Sequence, residues 1–129
     1  MTFHPLAPVP GLAVLAATPA AGYTMINGTG TIITWTAPND GNLHYVLVFS
    51  IKHVTSNETG GDVNLAFTNP AGGTKTTDFI GAGKTIDDYA CDFPQWQFLV
   101  TTGGGTVTLA QNTALTGGAS KVYAALWGA

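Results

Sequence analysis

The chain has 129 residues and carries only four lysines, no arginine and seven acids, so charged side chains make up 9% of it and the net charge is −3. An ordinary soluble domain is about 25% charged, and without a basic patch nothing here can hold a phosphate backbone, which excludes nucleic-acid binding. Low charge with a positive mean hydropathy instead points to an outer surface that faces protein, because the cores of interfaces are depleted in charge.

The length is that of one domain, large enough to fold without staples. Cys91 is the single cysteine, so no internal disulfide forms and the residue reads as a small buried hydrophobe.

Residues 1–21 hold four of the seven prolines and no charged side chain. Proline fixes φ and removes a donor, which favours an extended arm over a helix. The apolar run at residues 12–17 lacks the basic segment of a secretory signal and falls short of the roughly 20 residues of a membrane span. An uncharged arm of this kind has no polar reason to stay in solvent. Phe3, Leu6, Val9, Leu12 and Leu15 are therefore expected to dock it, preferably on a neighbouring protein.

Residues 22–129 read as one all-β domain. Short runs of Val, Ile, Thr and aromatics recur at roughly ten-residue intervals between Gly, Asn, Asp and Pro clusters. Strands are predicted at residues 23–26, 31–36, 43–55, 63–67, 74–79, 96–102, 106–110 and 121–127. Eight short strands and no helical period predict an antiparallel jelly roll or β-sandwich. The run Gly103-Gly104-Gly105 reads as a hairpin loop, and with no lysine or helix behind it no phosphate cradle. Asn69-Pro70-Ala71-Gly72-Gly73 and residues 57–62 read as turns.

Alternation assigns faces. In the long strand Leu43, Tyr45, Leu47, Phe49 and Ile51 form one row, expected in the core; Val46 and Val48 on the other row suggest that the second face is covered as well. Trp96, Phe98 and Val100 make a second expected core row. In the last strand Val122, Ala124 and Leu126 alternate with Tyr123, Ala125 and Trp127, apolar on both sides. A strand apolar on both faces of an antiparallel sandwich calls for a further partner, which makes Tyr123, Ala125 and Trp127 candidates for an oligomer interface.

No catalytic constellation emerges. His4, His44 and His53 are the available bases, and none sits in a nucleophile motif. Asp87, Asp88 and Asp92 cluster in one loop without the spacing or glycine of a calcium loop, so neither metal nor cofactor is expected. The chain reads as a non-enzyme. Tyr89, Phe93, Trp96 and Phe98 interleave with polar residues and could stack on a sugar, although a core row explains Trp96 and Phe98 as well. The triplets Asn27-Gly28-Thr29 and Asn57-Glu58-Thr59 are too common by chance to carry weight.

The run Trp35-Thr36-Ala37-Pro38-Asn39-Asp40-Gly41-Asn42-Leu43-His44-Tyr45-Val46-Leu47-Val48 resembles the proline, two residues, glycine and alternating apolar strand that opens the long strand of complement-type and tumour-necrosis-factor-like jelly rolls. Residues 54–72, a threonine-rich strand leading to the Asn69-Pro70-Ala71-Gly72 turn, are similar to small bacteriophage structural proteins of this shape. The resemblance covers residues 35–75. It implies a homotrimer of jelly rolls located in the virion, at the capsid surface after assembly in host cytoplasm. The implied partner is the major capsid protein or another virion protein, with no nucleic acid and no membrane. A capsid decoration protein is the first reading; a carbohydrate- or receptor-binding head of a tail fibre is the second.

Overall fold

The computed structural model describes residues 11–54, 58–80 and 91–128, with side chains in the last segment from residue 94. Those residues form eleven strands and no helix: β1 (Ala13–Ala17), β2 (Tyr23–Thr24), β3 (Gly30–Thr36), β4 (Leu43–Val54), β5 (Thr59–Gly60), β6 (Val63–Thr68), β7 (Thr74–Ile80), β8 (Cys91–Thr102), β9 (Thr106–Gln111), β10 (Leu115–Thr116) and β11 (Lys121–Gly128). Each expected strand is present. The sequence reading omitted β1 and the two-residue ladder of β5 with β10.

One sheet runs β1-β11-β4-β8, with β2 also on β11, and the other runs β3-β9-β6-β7. Antiparallel partners are nested along the chain: β1 with β11, β3 with β9, β4 with β8, β6 with β7. That nesting is a long two-stranded ribbon rolled up into two facing sheets, the jelly-roll arrangement. Asn69 to Gly73 does make a hairpin, closed by the Asn69 amide donating to the Gly73 carbonyl at 2.8 Å. The triple glycine does not. It is a corner passing the chain from β8 in the first sheet to β9 in the second. The bend needs glycine: Gly104 has φ +79°, and a Cβ on Gly105 would lie 2.5 Å from Thr101 Oγ1.

The core lies between the sheets. Val46, Val48, Leu99, Val122, Ala124 and Leu126 from the first sheet meet Ile33, Val63, Leu65, Val107 and Leu109 from the second. β-branched residues suit this layer, since stiff side chains on a pleated surface lose little freedom when packed. At one end Gln111, almost fully buried, is satisfied on both sides. Its Oε1 accepts from the Tyr23 hydroxyl at 3.1 Å and the Ile26 amide at 3.0 Å, and its Nε2 donates to the carbonyls of Ile26 at 2.7 Å and Thr113 at 2.9 Å.

Two face assignments are corrected. The core row of β4 is Val46, Val48, Ser50, Lys52 and Val54, whereas Leu43 and Tyr45 are exposed and Leu47, Phe49 and Ile51 half-buried on the other side. Trp96 and Phe98 follow, because the register sets Phe49 opposite Trp96 and Leu47 opposite Phe98, and residues directly opposite share a face. The strand is apolar on both sides, so alternation alone defines two rows without saying which is inside.

The boundary at residue 21 is also corrected. β1 is an integral edge strand: Val14 pairs with Trp127 and Ala17 with Ala125. Leu15 packs against the core and over Gly128, where a Cβ would meet its Cδ1 at 2.8 Å. Leu15 is thus a fold residue, not a free docking side chain, and Leu12 is half-buried. Phe3, Leu6 and Val9 lie outside the described residues.

Candidate functional site

The outer face of the first sheet is the most unusual surface of the molecule. Its rows are Leu43, Tyr45, Leu47, Phe49 and Ile51 from β4, Trp96, Phe98 and Val100 from β8, and Tyr123, Ala125 and Trp127 from β11. The ladder aligns them as Tyr45 with Val100, Leu47 with Phe98 and Trp127, and Phe49 with Trp96 and Ala125. Val14 extends the patch onto β1. The interface candidates Tyr123, Ala125 and Trp127 therefore fall on one surface with residues that the sequence reading had placed inside.

Trp96 is 65% exposed, Tyr45 58%, Phe98 56% and Leu43 53%. With aromatic side chains carrying about 150–250 Å² each, these four alone present on the order of 500 Å² of largely apolar surface, as much as the largest patch on a typical monomer. The same sheet's inner face carries Ser50, Lys52 and Thr101. The outer face is thus the more aromatic of the two. Besides the hydroxyls of Tyr45 and Tyr123, its titratable side chains among the described residues are His53 and Lys121, paired at one end of the ladder. Lys121 Nζ donates to the Ala21 carbonyl at 3.2 Å. Among the described residues the rest of the face has no charge to orient a small polar ligand, whereas large, flat apolar area is what a protein surface buries.

The sequence matches no family model and no curated protein. The fold is similar to a chain in the structure of infectious bursal disease virus Gx strain, with a TM-score of 0.48 and 10% identity over 90% of this chain; the chain spans 30% of the length of that one.

A cleft at the open end of the sandwich is lined by Leu15, Trp35, Pro38, Leu43, His44 and Tyr45. His44 meets Trp35 edge-on, with ring centroids 6.1 Å apart. Its Nε2 lies 2.9 Å from Asp40 Oδ1, which also accepts from the Asn42 amide at 3.0 Å. The hydrogen bond from His44, then that from Asn42, lowers the Asp40 carboxyl from 3.8 to about 2. A depressed acid adds stability above its unfolded value and loses it as pH falls through the folded one. Asp40→Asn is therefore expected to flatten the stability profile between about pH 4 and 2, read from thermal melts across that range. Because Asp40 is open to solvent, which screens the interaction, the change is small.

The strongest polar feature escaped the sequence reading. Lys52 and Glu58 form a fully buried ion pair at 2.6 Å. Lys52 Nζ also donates to the Gly61 carbonyl at 2.8 Å, and the Ser120 hydroxyl donates to Glu58 Oε2. The signal was a lysine continuing the row of Val46 and Val48. His4, Asp87, Asp88 and Tyr89 lie outside the described residues, as do the side chains of Cys91, Asp92 and Phe93. His53 sits on the outer row at the end of β4. Among the described residues no group of three His, Cys, Asp or Glu comes together.

Proposed function

We propose that the chain is a non-enzymatic structural protein of a virus particle, a trimeric decoration protein that attaches to the capsid shell through the outer face of its β1-β11-β4-β8 sheet. The observation that carries this is that the sheet is apolar on both sides: its inner face supplies half of the core, and its larger aromatics face outward. A sheet side that stayed in solvent would carry alternating polar residues. The jelly-roll topology and the sequence resemblance to small phage structural proteins support the virion setting and the trimer. The partner is the major capsid protein or another virion protein, and neither nucleic acid, membrane nor cofactor is required.

Retention on purified capsid shells is the test. The protein is expected to co-sediment with shells and to scatter light at about three times its chain mass. A monomer that stays in the supernatant at micromolar concentration and above would count against both parts of the reading. The exposed Trp96, Tyr45 and Phe98 favour one second reading, a carbohydrate-binding head of a tail fibre in which they form a stacking platform. Binding on a glycan array without retention on shells would select it.

A further inference from the structure

A polar cluster lies at one end of the second sheet. Asp62 precedes β6, Asn64 is the second residue of that strand, and the ladder sets Asn64 opposite Asp78 of β7. Residues directly opposite share a face, as do residues two apart on one strand, so the two carboxylates flank the Asn64 amide. Val63 pairs with Ile80 and Asn64 with Asp78, which leaves Phe79 as the extra residue of a bulge that re-aims this end of the edge strand. Asp62 is fixed by the residues after β9: its amide donates to Thr113 Oγ1 at 3.1 Å and its carbonyl accepts from the Asn112 amide at 3.0 Å. One end of the Asn64 amide lies 2.9 Å from Asp78 Oδ1 and 3.3 Å from Asp62 Oδ2, and the other end lies 3.2 Å from Asn112 Nδ2.

The two orientations of that amide have different consequences. With its nitrogen toward the acids it donates to both, and its oxygen accepts from Asn112. That satisfies the amide but not the acids. Asp62 is 5% exposed and its Oδ1 has no hydrogen-bond partner among the described residues, whereas a buried carboxylate is ordinarily paired or bound to a metal. Neither Asp62 nor Asp78 has an ion pair among the described residues: Lys52 is taken by Glu58, and Lys121 reaches the Ala21 carbonyl. With its oxygen toward the acids, Asn64 instead completes a set of oxygens about 3 Å apart, the spacing of neighbouring ligands around a calcium ion bound at about 2.3–2.6 Å. A set of oxygens suits a hard cation. Magnesium demands a regular octahedron and keeps its waters, while calcium accepts an irregular set and a carboxylate that offers both oxygens. Asp78 and Asn112 are exposed, so water can fill the remaining positions. Two carboxylates also match the charge of a divalent ion.

We propose that Asp62, Asn64 and Asp78 bind a calcium ion, Asp62 through its buried carboxylate, Asp78 through Oδ1 and Asn64 through its amide oxygen. The ion belongs to the fold and needs neither trimer nor capsid, so the proposal stands apart from the virion reading. Sites with few charged ligands bind calcium weakly, with a Kd of about 0.1–1 mM. The test is a titration of the isotope-labelled full chain, freed of divalent ions, with calcium chloride up to about 10 mM. The Asn64 side-chain amide signals and the backbone amides of residues 62–64 and 78 are expected to move along a saturable curve. The thermal midpoint should rise by several degrees, because the ion binds the folded state, and fall back when chelator is added. Asp78→Asn changes an exposed position, so it should fold as before and lose the saturable response. No movement in the unsubstituted chain would overturn the proposal and leave Asn64 as a hydrogen-bond donor to both acids. An equal response in Asp78→Asn would overturn it as well, because the ion would then sit elsewhere. Magnesium at the same concentration should move the signals far less, and an equal response to it would sink the assignment to calcium.

Discussion

Lys52→Met alone is expected to lower the stability of the domain by about 3–5 kcal/mol, the cost of leaving one member of a buried ion pair without the other. Glu58 would then remain with its Ser120 hydrogen bond but no counter-charge, in a site closed to water. Glu58→Leu should cost a similar amount, because Lys52 would keep only the carbonyls of Gly61 and Gly60. The double variant is the informative one. Removing both charges together also removes the desolvation penalty, so Lys52→Met with Glu58→Leu is expected to recover most of the loss. Urea melts of the four proteins measure this as a double-mutant cycle. If the two losses simply add, the pair is not coupled and Lys52 matters only for its packing.

The pair also has a topological role. Lys52 is on β4, Glu58 precedes β5, Gly61 precedes β6 and Ser120 precedes β11. The cluster therefore ties the crossover between the two sheets to the last strand, at the end of the sandwich where Gln111 also holds β9 to the turn after β2.

Much of the fold was legible because strand spacing and turn residues are local signals. The ten-residue rhythm gave the eight main strands, and the Asn69 to Gly73 hairpin followed from its turn chemistry. What was not legible is non-local. Which row of β4 faces the core depends on the sheet that packs against it, and with Tyr45, Leu47 and Phe49 on one side and Val46 and Val48 on the other, hydrophobicity favours the wrong row. The apparent misfit, Lys52 among the valines, is resolved by Glu58, six residues away in sequence. β1 was hidden for a different reason. Its alanines have little strand propensity, and the prolines before it pointed to an arm, whereas its place at the sheet edge is decided by pairing with β11, over a hundred residues later. The candidates Tyr123, Ala125 and Trp127 were found because the last strand is apolar on both faces, but their neighbours on that surface were assigned to the core.

Tyr45→Ser together with Phe98→Ser should separate attachment from folding. Both side chains are more than half exposed and sit diagonally across β4 and β8, since Tyr45 pairs with Val100 and Phe98 with Leu47. Substitutions at exposed positions usually change stability by no more than about 0.5 kcal/mol, so the thermal midpoint should barely move. Retention on capsid shells is expected to fall steeply. Central aromatic anchors at an interface cost 2 kcal/mol or more each when truncated, about 30-fold in affinity per anchor. The competing possibility is that these aromatics are covered within the chain and hold the sheet together. In that case the variant would lose several degrees in the thermal melt, and its retention would fall only in proportion to the fraction unfolded. Full retention with an unchanged melt would remove the outer face from the attachment surface, because an interface seated there could not lose two of its three most exposed aromatics without weakening.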